Sequence, residues 1–246
     1  MEIREAKRAA GDMISERLFA SQFSGFWRSA LPNLEAVTRS ANLAYDRVSG
    51  LTRPTTSPSR RDLISEAGYF LFFESVRHPT EPAEVLRSRA VASALEFLNA
   101  NILEFKTERD ELSAPEADEV DRLARWLRHY FGGRGVSLER VSVPSYRGHG
   151  IIQSCKGDFE CSDTLVEMKY VDRQFRSHDL RQVIVYSALR YYEGKQNYKT
   201  ITIVNPLLGI EFTTNIDELI YSASGSDVPE FFQKLSYTIS SGEVSH

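Results

Sequence analysis

Two acidic residues and a lysine are closely spaced around two short segments with the composition of β-strands. Asp158 precedes Glu167 by nine residues, and Lys169 follows two residues later. Alternate residues of a strand share a face, so Glu167 and Lys169 lie on one side. The apolar Val166 and Met168 lie on the other side, which we expect to face a core. Because charges beside a core cost several kcal/mol unless they are paired or bound to metal, the pattern favours a divalent-metal site that hydrolyses phosphodiesters. A surface strand carrying a Glu/Lys pair is the alternative.

A polar pair follows on the next predicted element. Residues 179–192 have the composition of a helix, on which Gln182 and Tyr186 are four positions apart and share a face. Residues 198–206 alternate, are rich in β-branched side chains and end in Asn-Pro, which predicts a strand. Taken alone, the pair is explained as well by a helix that packs on a sheet with two amphipathic side chains at its edge.

Together these motifs resemble the PD-(D/E)xK nuclease superfamily, in the branch with a QxxxY motif on its helix. The resemblance covers residues 116–216, and Gly157 occupies the position of the name-giving proline. It implies an α/β, restriction-endonuclease-like fold in which a small mixed sheet is flanked by helices in the order αβββαβ. The catalytic residues that it implies are Asp158, Glu167, Lys169, Gln182 and Tyr186.

The residue types suit hydrolysis that depends on Mg²⁺, for which Mn²⁺ can substitute. Mg²⁺ prefers one or two carboxylates together with waters and phosphate oxygens. We expect Asp158 and Glu167 to supply the carboxylates and the backbone carbonyl of Met168 to supply a further oxygen. Lys169 is expected to orient or deprotonate the attacking water, or to stabilise charge on the phosphate; the sequence leaves these roles open.

A further metal ligand is expected from the helix before these strands, at residues 116–131. Glu116 falls on the axis of the apolar stripe of this helix, from which a carboxylate could reach the metal. The alternative is an acid that the helix dipole favours in the first turn. Glu119 is the second candidate.

Arginines near the proposed site are candidates for contacts with nucleic-acid phosphates. Arg173, Arg176 and Arg181 lie in or beside the segment between the lysine and the QxxxY motif, and Arg134, Arg140 and Arg147 could add to them. A solvated loop of ordinary charge is the alternative. The net charge of −4 argues against a protein that coats DNA broadly, but not against a localised basic groove.

Composition narrows the class of protein. The chain has 246 residues, of which 41% are hydrophobic and 26% charged, as in ordinary globular proteins. No apolar run approaches the ~20 residues of a membrane span, and the charged segment 1–7 differs from a secretory signal. Cys155 and Cys161 lack the partners for a four-ligand zinc or iron–sulfur site. We therefore expect a cytoplasmic protein without membrane contact.

Two parts are predicted along the chain. Residues 1–110 are mostly helical, and residues 111–246 form the proposed nuclease domain, with a polar connection at 101–115 as the boundary. Helical patterns cover residues 3–23, 34–47, 61–76 and 82–103. The N-terminal helices could form a homodimer, bind a partner subunit or contact nucleic acid.

The expected function is that of a Mg²⁺-dependent nuclease acting on DNA more than on RNA. The family resemblance suggests a setting in restriction, phage defence or repair. The alternative is a catalytically silent nuclease-fold module that serves as a nucleic-acid-binding or structural subunit of a larger complex.

Overall fold

The computed structural model describes residues 13–51, 56–101 and 109–241. The helices in these ranges are α1 (Glu16–Gln22), α2 (Ser24–Ala30), α3 (Leu34–Ala41), α4 (Arg61–Arg77), α5 (Ala83–Asn101), α6 (Ala114–Gly132), α7 (Ser177–Tyr192), α8 (Ile216–Ser224) and α9 (Val228–Ser241). The strands are β1 (Asp46–Arg47), β2 (Ser145–Tyr146), β3 (Cys155–Lys156), β4 (Phe159–Cys161), β5 (Thr164–Met168), β6 (Thr200–Asn205) and β7 (Ile210–Asn215).

The central sheet has five strands in the order β1-β7-β6-β5-β4. β4 and β5 form an antiparallel hairpin, and β5 runs parallel to β6, with Glu167 opposite Ile203. Because parallel neighbours need a crossover connection, α7 carries the chain between β5 and β6. β7 is antiparallel to both β6 and β1. The predicted α/β class, with a mixed sheet, flanking helices and a helical N-terminal region, is confirmed.

The family resemblance predicts three strands before α7. Only one residue, Ser142, occupies the place of the first of them in the central sheet. Ser142 forms an isolated antiparallel bridge with Glu160, with N–H···O distances of 3.0 and 2.8 Å. Pro144 follows closely and has no N–H group, so it cannot extend the ladder. β2 and β3 pair in a separate two-stranded sheet.

Hydrophobic side chains pack on both faces of the central sheet. Leu165 belongs to a core formed with α1–α3 and α7–α9. Val166 and Met168 belong to a second core formed with α4–α6. This alternation confirms the face predicted for the apolar residues of β5, and it places Glu167 on the side that α7 covers.

Segments before residue 110 contribute to both cores. The side chains of α1–α3 pack in the first core and those of α4 and α5 in the second. β1 extends the sheet, with Asp46 opposite Glu211. The N-terminal helices therefore pack directly on the sheet. Of the predicted connection at 101–115, residues 102–108 lie outside the described residues.

The helix predicted over residues 34–47 is wrong at its C-terminal end. α3 ends at Ala41, and the side-chain amide of Asn42 then bonds the backbone C=O and N–H of Phe175 at 2.8 and 3.0 Å. The chain next pairs with β7, so tertiary contacts override the local helical pattern. Residues 3–12 of the first predicted helix lie outside the described residues. Within the described ranges, every helix is too short or too polar to cross a membrane.

Candidate active site

The two acidic residues of the strand motif come from the β4–β5 hairpin, where Glu167 lies in β5 and Asp158 lies just before β4. Asp158 directly precedes β4, and its Oδ2 accepts a hydrogen bond from the backbone N–H of Met168 at 2.7 Å. Burial, together with the negative charge of Glu167, raises the pKa of Asp158 well above its ordinary value. Glu167 is 1% exposed, and its Oε2 has no hydrogen-bond partner in the described part of the chain. A buried carboxylate oxygen without a donor is suited to a cation.

Lys169 connects the strand motif to the helix motif. Its Nζ donates to Oε1 of Glu167 at 2.8 Å and to Oε1 of Gln182 at 2.6 Å. The nearest oxygen of Asp179 is 3.9 Å from the same nitrogen. The ammonium group is therefore held between β5 and α7, with two of its three N–H donors directed at named acceptors.

A chain of hydrogen bonds continues from Gln182 to the N-terminal part of the protein. The amide Nε2 of Gln182 donates to the Tyr186 hydroxyl at 2.9 Å, and that hydroxyl donates to Oε1 of Glu16 at 3.0 Å. Burial raises the pKa of Tyr186 well above its ordinary value, with the charges of Glu167 and Glu16 adding to the effect. The phenol therefore stays neutral and acts as a donor. Sequence analysis missed Glu16, a first-turn acid of α1 that local pattern does not distinguish from a helix-dipole acid.

Asp179 is a second residue beside Lys169 that sequence analysis did not identify as part of the candidate site. It is 1% exposed, and Arg173 donates to its two oxygens at 2.7 and 3.1 Å. The backbone N–H of Arg176 donates at 2.8 Å. Burial alone would raise the pKa of Asp179, but these donors and the charge of Lys169 lower it. The ionised carboxylate thus anchors Arg173 and the first turn of α7 beside the lysine.

The motif residues open into a cavity of about 400 Å³ between the sheet, α1 and α4. Asp158, Glu167, Lys169, Gln182 and Arg173 are among the residues that line it. Tyr186 lies behind this lining, bonded to Gln182. The cavity also receives Arg17 from α1 and two acids, Asp62 and Glu66, from α4.

Sequence analysis expected a carboxylate from a helix to reach the metal site. Glu66 of α4 is a helix carboxylate that lines the cavity. Burial raises the pKa of Glu66 to about 7, with Asp62 and Glu167 adding to the effect and Arg17 opposing it. Partial loss of solvent at the cavity would lower the pKa of Arg17, but the nearby carboxylates of Glu167, Asp158 and Glu66 raise it above its ordinary value. The signal that could have found Glu66 is an acid one turn after Asp62 on a helix that is otherwise largely buried.

Glu116, the expected ligand from α6, is not brought to the cavity. Its carboxylate accepts from Arg60 Nε at 2.9 Å, from Arg109 at 2.8 Å and from the backbone N–H of Ser113 at 2.7 Å. Burial would raise the pKa of Glu116, but these donors lower it to about 2. The reason is that the apolar stripe of α6 packs in the core that it shares with α4, so the first turn of α6 meets the residues before α4.

Glu119, the second candidate, is likewise engaged elsewhere. It accepts from the hydroxyl of Tyr170 at 2.6 Å and from that of Thr56 at 2.6 Å. Neither oxygen is directed at the residues of the motif, and Glu119 does not line the cavity. Glu116 therefore caps the N-terminus of α6, and Glu119 binds the hydroxyl of Tyr170.

The three arginines predicted to contact nucleic acid divide between two cavities. Arg173 lines the first cavity and is paired with Asp179. Arg176 and Arg181 line a neighbouring cavity. Arg134 pairs instead with Glu211 of β7.

The donor set of the first cavity suits Mg²⁺ rather than a metal that needs many protein ligands. Within the described ranges, no three Asp, Glu, His or Cys side chains are grouped as a metal site. Asp158 and Glu167 provide two carboxylates, one with an unpartnered oxygen, and Mg²⁺ commonly takes one or two carboxylates and completes its shell with water and phosphate. In comparisons with known proteins, no family model and no curated protein matches this chain.

Proposed function

We propose that this protein is a Mg²⁺-dependent nuclease with the restriction-endonuclease-like fold of the PD-(D/E)xK superfamily. The observation that carries the proposal is the position of Lys169, whose Nζ lies 2.8 Å from Glu167 and 2.6 Å from Gln182 at the wall of an open cavity. The strand motif and the helix motif, separate in sequence, thus meet at one ammonium group. The parallel β5–α7–β6 unit and the β4–β5 hairpin support the fold assignment.

The residues that would hold Mg²⁺ are Asp158 and Glu167, with the Met168 carbonyl as a further oxygen. When bound, the ion supplies neutralisation of the phosphate charge and activation of a water molecule. Glu66 lines the same cavity, where it can accept a proton or a hydrogen bond from water. Its pKa near 7 suits such an exchange at neutral pH.

The ammonium group of Lys169 has three N–H donors, and two of them bond Glu167 and Gln182. The third has no hydrogen-bond acceptor in the described chain. We propose that this donor contacts the scissile phosphate or the attacking water. Because Gln182 is itself fixed by Tyr186 and Glu16, the direction of the ammonium group is set before substrate binds. Such preorganised donors lower the barrier because no reorganisation is needed as charge develops.

The cations at the rim of the cavity suit a polyanionic substrate. Arg17 and Arg173 line the cavity, and the side chain of Arg17 is more than half exposed. Phosphate backbones are held by such contacts, which carry no sequence information of their own. We propose DNA as the substrate, with RNA as the competing substrate, and a setting in restriction, phage defence or repair by resemblance to the superfamily.

The test is cleavage of linear, circular and single-stranded DNA and of RNA, with Mg²⁺, Mn²⁺ or EDTA. We expect metal-dependent cleavage by the wild type and its loss in Asp158→Asn and Lys169→Met. Asp118→Asn is the control, because Asp118 is an exposed acid of α6 outside the cavity. Cleavage that persists in both site variants would mean that another site is responsible.

Calorimetric titration with Mg²⁺ addresses the alternative of a catalytically silent module. We expect the wild type to bind Mg²⁺ and Asp158→Asn to bind it more weakly, because one of the two carboxylates is neutralised. Nucleic-acid binding without Mg²⁺ binding and without cleavage would favour the silent module over the nuclease.

A further inference from the structure

A second cavity, also of about 400 Å³, adjoins the first one at the N-terminal end of α7. Ser21 and His178 line both cavities, so the two form adjoining parts of one groove. The walls of the second cavity come from α1, from α3 and from the first turns of α7. None of its lining residues belongs to the strand motif.

Positive charge predominates in the second cavity. Arg39, Arg176 and Arg181 line it, and Glu35 is the single acid among its lining residues. Unlike Arg173, none of these three arginines forms an ion pair with a carboxylate in the described chain. Two of them, Arg39 and Arg176, are exposed. The cavity therefore holds an excess of cations that the protein itself does not neutralise.

Arg181 adds an unsatisfied donor. Its Nε is buried and has no hydrogen-bond partner in the described residues, while its NH1 donates to the backbone carbonyl of Ala20 at 3.3 Å. The guanidinium group also lies over the ring of Trp27, at 5.7 Å from the centroid. A buried guanidinium donor without an acceptor is costly, and a negative charge in the cavity that Arg181 lines would stabilise this guanidinium group.

Backbone donors complete the set. α7 has 16 residues and begins at Ser177. The first N–H groups of a helix have no acceptor within it, and here that of Asp179 bonds the Arg176 carbonyl at 2.9 Å, which leaves those of Ser177 and His178 at the helix end where the dipole favours an anion. Ser177 Oγ lies 3.4 Å from the Thr38 hydroxyl, which positions a hydroxyl group in the same cavity. Arginines, a hydroxyl and a helix N-terminus together are the donors that bind phosphate.

We propose that the second cavity binds a phosphate group of the same nucleic-acid strand whose scissile phosphate occupies the first cavity. The course of the strand rests on the proposed nuclease function, whereas the phosphate chemistry of the second cavity rests on its own residues. The strand would pass over Ser21 and His178, which both cavities share. The phosphate is either an internal one of the backbone or the terminal one of a strand end.

The test is equilibrium binding of fluorescently labelled DNA in EDTA, where no cleavage occurs. The variant is the double substitution Arg39→Gln with Arg176→Gln, because both side chains are exposed and their loss leaves the core intact. Arg125→Gln is the matched control, an exposed arginine of α6 that lines neither cavity. We expect roughly tenfold weaker binding in the double variant and a salt dependence of log K that is smaller by about one.

Duplexes with and without a 5′-phosphate distinguish the two sources of the phosphate. A loss of affinity confined to the phosphorylated duplex would assign the cavity to a strand end, and an equal loss with both would assign it to the backbone. Affinity and salt dependence that match those of the control would overturn the proposal, as would a wild type that binds no DNA.

Cleavage assays on the same proteins separate this proposal from the proposed function. Weaker binding in the double variant, with no cleavage by any protein in Mg²⁺, would support the phosphate subsite and refute the nuclease. Cleavage that depends on Asp158, with DNA binding unchanged in the double variant, would support the nuclease and refute the subsite.

Discussion

The hydroxyl of Tyr186 donates a hydrogen bond to Glu16 at 3.0 Å, although the two residues are 170 positions apart in the chain. Through Gln182, the same hydroxyl is connected to the ammonium group of Lys169. Residues of α1, β5 and α7 therefore fix the ammonium group of Lys169 together. Tyr186 does not line the cavity, so it contacts Lys169 only through Gln182.

Tyr186→Phe is expected to lower kcat for DNA cleavage by roughly tenfold with little change in KM. The substitution removes the bond to Glu16 and leaves Gln182 Nε2 with only its long contact to Glu16 Oε1, at 3.5 Å, so Lys169 is held less firmly in its direction. Lost buried hydrogen bonds also lower the free energy of unfolding by about 1–2 kcal/mol. Steady-state kinetics and urea unfolding measure the two effects. An unchanged kcat beside lower stability would mean that the tyrosine is only structural.

Asp158→Asn is expected to stabilise the protein in EDTA at pH 8. The pKa of Asp158 is higher in the folded than in the unfolded protein, so the folded protein binds more protons between those two values and loses stability as pH rises through them. The asparagine avoids this loss and can still accept from the Met168 N–H. We therefore expect the free energy of unfolding at pH 8 to be higher for the variant than for the wild type.

The gain from Asp158→Asn should shrink towards pH 4, where the carboxyl is protonated in the folded state and about half protonated in the unfolded state. Urea unfolding at pH 4 and pH 8 measures the difference. A variant that is less stable than the wild type at pH 8 would show that the ionised carboxylate is favoured by contacts other than metal.

The raised pKa of Glu66 predicts that the stability of the metal-free protein depends on pH. Its pKa of about 7 in the folded protein exceeds the ordinary 4.5, so metal-free stability is expected to fall as pH rises between these values and to level off above 7. The loss attributable to Glu66 is roughly 3 kcal/mol before screening by solvent. Glu66→Gln should flatten this part of the profile. Profiles of wild type and variant that run parallel from pH 4.5 to 7 would refute the assignment.

The local geometry of the site could be predicted from sequence because it depends on the spacing of residues within a single strand or helix. Glu167 and Lys169 share a strand face at a period of two, and Gln182 and Tyr186 share a helix face at a spacing of four. These relationships require no knowledge of distant contacts. The α/β class follows similarly, since two strands, a helix and a further strand predict a parallel crossover, which β5, α7 and β6 form.

The partners that come from distant helices could not be predicted in this way. Glu16 and Glu66 lie on helices. The periodicity of a helix predicts which of its faces is buried, but it does not predict which strand packs against that face. The same reason explains why Glu116 was favoured: the apolar stripe of α6 is real, but it packs in the core that it shares with α4. β1 was missed because two residues pair with a sheet edge that lies far along the chain.

Glu116→Gln distinguishes the two candidates for the helix acid. Both oxygens of Glu116 accept bonds from arginines or Ser113, so the substitution weakens a buried ion pair with Arg60 and destabilises the fold. Breaking a buried pair costs about 3–5 kcal/mol, and the amide retains part of the bonding, so we expect about 2–3 kcal/mol. Cleavage per folded molecule should be unchanged, whereas Glu66→Gln should reduce it without a comparable loss of stability at pH 8. Measured below the unfolding temperature of both variants, a Mg²⁺-dependent defect in Glu116→Gln and none in Glu66→Gln would return the role of helix acid to α6.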